Sequence, residues 1–364
     1  MSDDSVRSDN GGSADADVRS DNGGSTDADV RSDNGVRADD GGRAPAVTGS
    51  AGDVLVLRAL GLGDAVAGVA ALRGVRRAFP GRRLVLATPN GVGSWLRDQG
   101  VVDEVLPTAG LDAPLAWERP GGHVAVNLHG RGPASHRLLA ATGPSRLVAF
   151  GCEEAGHDGP AWQRDEHEVD RWCRLVRSVG GECSAEDLRL RPPSGGRGQT
   201  VVLHPGAASV ARRWPAERWT AVARALARTG RAVVVTGSGD ELGACAAMAR
   251  AAGPGVRSVA GTLSLPALAE LVARAGLLVC GDTGVAHLAT AFATPSVLLF
   301  GPTPPRWWGP AIDHGLHTVL WHGTAPGDPH AATLDPALAA ITPGEVVEAA
   351  DDLLSRTSVP AGLG

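Results

Sequence analysis

The chain has 364 residues, 43% of them hydrophobic, which exceeds the usual size of one compact core and predicts two domains. Its formal net charge of -6 resides in residues 1–50, because the rest of the chain carries 29 basic and 29 acidic side chains. That balance excludes bulk nucleic-acid binding as an expected function, so no nucleic-acid partner is predicted. Five cysteines without a CxxC pair argue against a disulfide framework, and no metal is predicted.

The first 50 residues are a repeat rather than a fold. The sequence VRSDNGG occurs at 6–12 and 18–24, and VRSDNG at 30–35, which gives a period of twelve. Almost no side chain there could be buried, so a disordered acidic tail is predicted for 1–50. Neither a signal-peptide core nor a long apolar run occurs. We expect a cytoplasmic monomer, and peripheral association with the inner face of the cell membrane is an open alternative.

An N-terminal α/β domain is predicted for residues 51–190. The apolar run at 54–57 indicates a buried strand, a Gly-rich loop follows it, and one helix is expected over 64–78. Further strands are predicted at 84–87, 124–128 and 146–149, with helices near 133–141 and 166–179. Strands that alternate with helices indicate a parallel sheet.

Residues 191–199 (RPPSGGRGQ) predict a linker, because they are rich in Pro and Gly and contain no apolar run. A second α/β domain is expected over 200–345, followed by a C-terminal helix and tail at 346–364. Its strands are predicted at 200–204, 232–236, 277–280 and 296–300, and its helices near 215–228, 240–252, 265–274 and 283–292. Two Rossmann-like domains would then face a cleft, with a ligand at the carboxyl ends of the strands.

Three segments, in this order, carry a resemblance to a known family. They are VLVLRALGLGDAVAGVAALRGVRRAFPG at 54–81, LHPGAASVARRWPAERW at 203–219, and CGDTGVAHLATAFATPSVLLFGPTPP at 280–305. They resemble the ADP-heptose:lipopolysaccharide heptosyltransferases of glycosyltransferase family 9. The resemblance implies a GT-B fold, an inverting and metal-independent sugar transfer, a nucleotide-sugar donor on the C-terminal domain and an acceptor on the N-terminal domain. It also implies work on the lipopolysaccharide core, although another envelope glycan or glycolipid is an open alternative.

Asp64 follows the first strand and its Gly-rich loop. Transfer of a sugar in one displacement needs a base that takes the proton of the acceptor hydroxyl, and Asp64 matches the family's proposed catalytic Asp. The alternative is a simple N-cap of the following helix. Gly61 and Gly63 would permit positive backbone dihedrals and a close approach of ligand. Since Val66 stands where a dinucleotide fingerprint needs Gly, oxidoreductase chemistry loses its main support.

Two arginines precede Trp214-Pro215. A departing nucleoside diphosphate develops negative charge, which a guanidinium can neutralise while it binds two oxygens. Arg212 matches a family Lys and is predicted to act in catalysis, and Arg213 is predicted to bind the donor. Ser209 could hydrogen-bond a phosphate, although the family's hydroxyls lie nearer to positions 206 and 207.

The segment 282–287 opens a helix after an apolar strand. Free N–H groups at such a helix start bind anions, so Thr283, Gly284 and Val285 are the predicted phosphate contacts. Asp282 matches a family residue near the donor sugar, but it could equally be an N-cap. His287 is predicted to face either the cleft or the core.

Three further residues are weaker candidates. Glu241 resembles the family's acidic residue that holds the donor ribose, although acids are also common at helix starts for electrostatic reasons. His129 and Arg131 are candidate acceptor-side groups after an N-terminal strand.

The leading hypothesis is therefore an inverting glycosyltransferase. A sugar-nucleotide epimerase or hydrolase on the same fold, or a non-catalytic nucleotide-sugar-binding module, remain the alternatives.

Overall fold

The computed structural model describes residues 47–48, 52–118 and 122–357 of the chain. It contains two α/β domains with parallel sheets, which confirms the predicted fold class. The repeat tail predicted for residues 1–50 lies outside the described residues, apart from the backbone of 47–48. None of the helices in the described ranges combines the length and the apolar character needed to span a bilayer.

The N-terminal domain is built on a five-stranded parallel sheet. The strands are buried on both faces because helices cover them, which explains their nearly continuous apolar runs. Its strands are β2 (Asp53–Leu57), β3 (Arg83–Thr88), β4 (Glu104–Pro107), β6 (Val124–Asn127) and β7 (Arg146–Val148). A separate two-stranded pair joins β1 (Val47–Thr48) to β5 (Trp117–Glu118). The helices are α1 (Leu62–Ala67), α2 (Val69–Ala78), α3 (Asn90–Asp98), α4 (Ala134–Ala140) and α5 (Glu168–Arg177).

The C-terminal domain carries a six-stranded parallel sheet. Its strands are β8 (Val201–His204), β9 (Val233–Val235), β10 (Val256–Ser258), β11 (Leu277–Gly281), β12 (Ser296–Leu299) and β13 (His317–Leu320). Its helices are α6 (Ala216–Arg228), α7 (Leu242–Ala252), α8 (Leu265–Arg274), α9 (Gly284–Ala291), α10 (Pro305–Trp308), α11 (Pro336–Ala340) and α12 (Pro343–Thr357). Helix α12 packs its apolar side on this domain's core, so the boundary drawn at 345/346 falls inside a helix.

Strand order places one site in each domain. The N-terminal sheet runs β4-β3-β2-β6-β7 and the C-terminal sheet runs β10-β9-β8-β11-β12-β13. In the N-terminal sheet, β3 and β4 lie on one side of β2, and the chain then crosses over to place β6 and β7 on the other side. In the C-terminal sheet, β9 and β10 lie on one side of β8, and β11, β12 and β13 lie on the other. The strand order therefore reverses between β2 and β6 and between β8 and β11. Ligands of doubly wound sheets bind at that reversal, at the carboxyl ends of the strands. Asp64 and His129 follow β2 and β6, whereas Arg212 and Asp282 follow β8 and β11.

The helix predicted over 64–78 is in fact two helices, α1 and α2, which meet at Gly68. A Cβ atom on Gly68 would lie 2.8 Å from both Cδ and Nε of Arg58. The break therefore coincides with the place where a buried arginine passes the helix. Helix α3 and strand β4 were not predicted, because Asn90, Gly91 and Gly93 give that stretch the composition of a turn.

The domains meet at more than one place. Helix α1 packs on α9, and polar contacts link the segment before α5 to the turn around α10. There, His167 Nε2 lies 3.0 Å from the Gly309 carbonyl, and Asp165 accepts hydrogen bonds from Arg306 and Trp307. Arg189 pairs with Asp313 farther along the boundary. The described conformation is thus one in which the two domains touch.

Candidate active site

Asp64 lies in the first turn of α1 and is only 6% exposed. The N-cap of α1 is Gly61, so the alternative assignment of Asp64 as an N-cap is wrong. The Asp64 side chain lies 3.7 Å, measured from Oδ1, from Nη2 of Arg58. A carboxylate in the first turn is stabilised by the positive end of the helix, and here it also has a guanidinium beside it.

Gly63 lies close to the start of α9 in the other domain. A Cβ atom on Gly63 would lie 3.0 Å from Cδ2 of His287 and 3.1 Å from Cα of Gly284. The expectation of positive dihedrals is wrong, since Gly61 has φ -68° and Gly63 lies within α1. Glycine at 63 is explained instead by the approach of the other domain, because the first turn of α1, which contains Asp64, packs against α9.

His287 is half-buried in the first turn of α9, at the boundary between the domains rather than in either core. Its ring packs edge-on against Trp308, with the ring centroids 5.8 Å apart. Burial, followed by the nearby His167, lowers the pKa of His287 to about 4. The imidazole is therefore neutral near pH 7 and can accept or donate a hydrogen bond without adding charge.

The start of α9 has the features of an anion site. Thr283 is the N-cap, which corrects the alternative that Asp282 caps this helix. No hydrogen bond of the Thr283 side chain caps the helix, and its buried Oγ1 has no hydrogen-bond partner among the described residues. The N–H groups of Gly284 and Val285 belong to the first turn, where a helix has no internal acceptors for them.

Arg212 reaches this helix start from the other side of the strand reversal. Its Nη1 lies 3.4 Å from the main-chain carbonyl of Asp282 and 4.0 Å from Oδ2 of the same residue. Its Nε lies 3.4 Å from Oγ of Ser209. The Ser209 hydroxyl in turn donates to the carbonyl of Pro329 at 2.5 Å, so its hydrogen already has an acceptor.

Arg213 is placed differently from its neighbour. Its Nε donates to the carbonyl of Ala207 at 2.8 Å, and Nη2 donates to that of Ala208 at 3.3 Å. The side chain thus folds back on the loop after β8 and holds its shape. The two adjacent arginines have separate surroundings, and Arg212 is the one beside the α9 start.

Glu241 belongs to a capping box. Its Oε2 accepts hydrogen bonds from the main-chain N–H and the hydroxyl of Ser238, at 2.8 Å and 3.1 Å. The helix-start role weighed for this residue is therefore present. The carboxylate also packs against Gly206, where any side chain would collide with it. Glu241 thereby lies directly over the loop that follows β8.

His129 faces the Asp64 loop in the N-terminal domain. The N–H of Ala59 donates to His129 Nδ1 at 3.2 Å, so the neutral ring carries its hydrogen on Nε2. Burial, followed by the charge of Arg58, lowers the pKa of His129 to about 4. Asn127 shapes the turn, because its Oδ1 accepts from the N–H of His129 at 3.0 Å. Arg131 is exposed at the rim.

Two residues at this site were missed by the sequence reading. Arg58 is 1% exposed and pairs with Glu168 of α5, whose Oε1 lies 3.1 Å from Nη2. Burial alone would raise the pKa of Glu168, but Arg58 and Arg171 outweigh it and hold that pKa below its usual value.

Within the described ranges no three His, Cys, Asp or Glu side chains cluster as metal ligands.

The arrangement of two Rossmann-like domains, each with a parallel sheet, is that of the GT-B fold. The fold is similar to that of ADP-heptose lipopolysaccharide heptosyltransferase II from E. coli, with a TM-score of 0.67 and 20% identity over 84% of this chain and all of that one. It is also similar to a family 9 glycosyl transferase from Veillonella parvula, with a TM-score of 0.68, 18% identity, and coverage of 86% and 100%.

Residues 163–325 match the model of glycosyltransferase family 9 (heptosyltransferase), so the resemblance drawn from the sequence is confirmed. Lipopolysaccharide heptosyltransferase 3 of Escherichia coli is 30% identical over 183 residues, which cover 48% of this chain and 53% of that protein. Lipopolysaccharide heptosyltransferase 1 of strain K12 is 23% identical over 292 residues, covering 69% and 88%. The chain spans about half the length of the first curated relatives it matches.

Proposed function

We propose that this protein is an inverting glycosyltransferase, which moves a sugar from a nucleoside diphosphate donor to a hydroxyl group of a glycan or glycolipid. One observation carries the proposal: the start of α1, with Asp64, lies against the start of α9, where Gly63 faces Gly284 and His287. A base on one domain and an anion site on the other would then flank the same sugar.

The donor would bind on the C-terminal side of this gap. Its diphosphate fits the N–H groups of Gly284 and Val285, and Arg212 would add positive charge beside them. The carboxylate of Asp282 can accept hydrogen bonds from sugar hydroxyls. Glu241 still has Oε1 to offer a ribose, because the capping box uses Oε2. Thr283 and His287 complete the proposed donor contacts, whereas the Ser209 hydroxyl already donates to the Pro329 carbonyl.

The proposed chemistry is a single displacement. The acceptor oxygen attacks the anomeric carbon while its proton passes to the Asp64 carboxylate. A new carbon–oxygen bond forms, the bond from the anomeric carbon to the phosphate oxygen breaks, and the nucleoside diphosphate leaves with the electron pair. Attack from the face opposite the leaving group inverts the configuration. Arg212 and the α9 start would stabilise the charge that develops on the diphosphate.

The relatives suggest which substrates to test first. The curated proteins that match include lipopolysaccharide heptosyltransferases, and a solved relative is described as an ADP-heptose lps heptosyltransferase. We therefore infer ADP-heptose as the first donor to test. We place the acceptor, an envelope glycan or glycolipid, on the N-terminal side near His129 and Arg131, at the inner face of the membrane.

Asp64→Asn tests the proposal. We expect transfer to fall by about 100-fold or more, because general-base catalysis contributes on that order. Donor binding, measured by calorimetry, should be retained, since none of the proposed donor contacts is removed. Asp98→Asn is the matched control, because Asp98 is an exposed carboxylate at the end of α3.

Two results would contradict the proposal. Wild-type turnover in Asp64→Asn would remove the assigned base. Conversion of the donor without any acceptor would instead support an epimerase or hydrolase. A thermal-shift screen of nucleoside diphosphate sugars comes first, because a ligand of the folded state raises the melting temperature by mass action.

A further inference from the structure

A buried ionic cluster lies behind the Asp64 turn. It consists of Arg58 at the end of β2, and of Glu168 and Arg171 on α5. Glu168 is fully engaged, since it accepts hydrogen bonds from both arginines and from Trp172 Nε1 at 2.6 Å. Arg171 points away from the turn, toward the main-chain carbonyls of 163, 164 and 166. Arg58 is therefore the member that connects this cluster to the cleft.

The Arg58 guanidinium contacts three separate segments. Its Nε donates to the main-chain carbonyl of Asp64 at 2.5 Å, and its Nη1 donates to the carbonyl of Leu128. Its Nη2 donates to Glu168 at 3.1 Å, and the same nitrogen lies 3.7 Å from Asp64 Oδ1. One rigid planar group thus joins the first turn of α1, the turn after β6 and the start of α5.

The fold leaves room for this one side chain. Position 68 has no Cβ, and a Cβ there would collide with Cδ and Nε of Arg58. On another side, the guanidinium carbon lies 5.2 Å from the centroid of a Trp172 ring. A buried charge is stable only where its hydrogen bonds and counter-charges are all supplied, and here the surrounding elements supply them. The arrangement is specific to a guanidinium.

We propose that Arg58 is a positioning residue for sugar transfer: it fixes the Asp64 turn relative to the turn that carries His129. The inference rests on the proposed function, in which Asp64 is the base and the acceptor lies near His129. The base has to meet the acceptor oxygen at reacting distance, and a shift of about 1 Å can cost on the order of 100-fold in rate. Arg58 sets that distance because it holds both main-chain segments at once.

Lysine would not replace this group. An ammonium is a single point donor, whereas the guanidinium presents its N–H groups in a fixed plane toward three acceptors. Arg58→Lys keeps the positive charge next to Asp64 and Glu168 but loses the fixed geometry. The two contributions, charge and geometry, are therefore separable by comparing Arg58→Lys with Arg58→Met.

The experiment compares Arg58→Lys and Arg58→Met with wild type. Steady-state kinetics give kcat and the KM for the donor, and hydrogen exchange reports the amides of 61–68 and 128–130. We expect kcat to fall by about 100-fold in Arg58→Met, with the donor KM unchanged because Arg58 touches none of the proposed donor contacts. Arg58→Lys should fall between Arg58→Met and wild type. Both peptides should exchange faster in Arg58→Met.

Arg83→Met is the matched control. Arg83 forms ion pairs with Asp53 and Glu104 in the same domain, at the amino-terminal ends of the strands and away from the cleft. It should lose stability without any change in kcat or in exchange at 61–68. If Arg58 had a purely structural role, Arg58→Met would behave like Arg83→Met and would lose stability without any change in kcat.

Each outcome decides the inference. A folded Arg58→Met with wild-type kcat would overturn it, and so would a loss of kcat that is matched by a rise in the donor KM. Where Arg58→Met does not fold, Arg58→Lys decides, since wild-type kcat there would also overturn the inference. Absence of transfer by the wild-type protein with every donor would defeat the proposed function instead. Unchanged hydrogen exchange at 61–68 in Arg58→Lys and Arg58→Met would then defeat the positioning role separately.

Discussion

Gly63 of the N-terminal domain and His287 of the C-terminal domain meet without room for a methyl group between them. The nearest atoms to a Cβ on Gly63 would be His287 Cδ2 at 3.0 Å and the main-chain Cα of Gly284 at 3.1 Å. The imidazole could turn aside, but the Gly284 backbone could not move without shifting α9. The spacing of the two helix starts therefore depends on the absence of a side chain at this position.

Gly63→Ala should separate the two domains by a few tenths of an ångström. We expect kcat to fall by roughly tenfold, because transfer depends steeply on the distance between base and sugar. Steady-state kinetics will measure this change. Gly91→Ala is the control, since no atom lies within 4 Å of a Cβ placed there. Unchanged turnover in Gly63→Ala would show that close approach at this point is not needed.

Arg212→Met and Arg213→Met should differ in their effect on nucleoside diphosphate binding. Loss of a hydrogen bond to a charged group weakens binding by roughly tenfold or more, and we expect that loss for Arg212. Arg213 should matter less, because its guanidinium is bonded to the carbonyls of Ala207 and Ala208. Calorimetry with the diphosphate measures both. Equal losses would mean that the two side chains share the site.

The free energy of unfolding should depend on pH through buried histidines. Burial lowers the pKa of His317 to about 4 from the ordinary 6.5, so the folded state binds fewer protons than the unfolded chain between those values. Stability is therefore fully present above pH 6.5 and is lost as the pH falls toward 4. Burial also lowers the pKa values of His129 and His287 to about 4, so the melting temperature should fall as the pH falls through this range.

His317→Gln isolates one contribution. His317 is buried at the start of β13, away from the candidate site, and its Nδ1 lies 2.8 Å from the Ser296 hydroxyl. Its replacement should flatten the dependence of melting temperature on pH between 4 and 6.5. His330→Gln, at an exposed position, should leave the dependence as in wild type. A slope that His317→Gln does not alter would contradict this account.

The units that carry Asp64 and the 282–287 segment could be predicted from the sequence. In each, an apolar strand leads through a Gly-containing turn to a polar residue at or near the start of a helix. The local pattern therefore predicts the strand, and it predicts the helix start to within two residues. The three matching segments also fixed the order of the two domains. Local composition misled at Gly68 and at α3, because packing against Arg58 and against β4 decides those glycines.

The Arg58–Glu168 pair could not have been found in this way. Its members are 110 positions apart, and only the folded sheet and α5 bring them together. Every basic residue in the chain is Arg, so another arginine after an apolar strand attracts no notice. Similarly, nothing local distinguishes Arg212 from Arg213, since their different partners come from loops outside the motif.

The contacts between the 165–167 segment and the α10 turn also limit how the cleft can change shape. His167 is bonded to Gly309, and Asp165 to Arg306 and Trp307. A motion that preserves these hydrogen bonds has to be a rotation of one domain about these contacts, because a straight separation of the domains would break them. Atoms far from the contacts would then move farther than atoms near them. A bulky substrate would enter most easily at the end of the cleft that is farthest from the contacts.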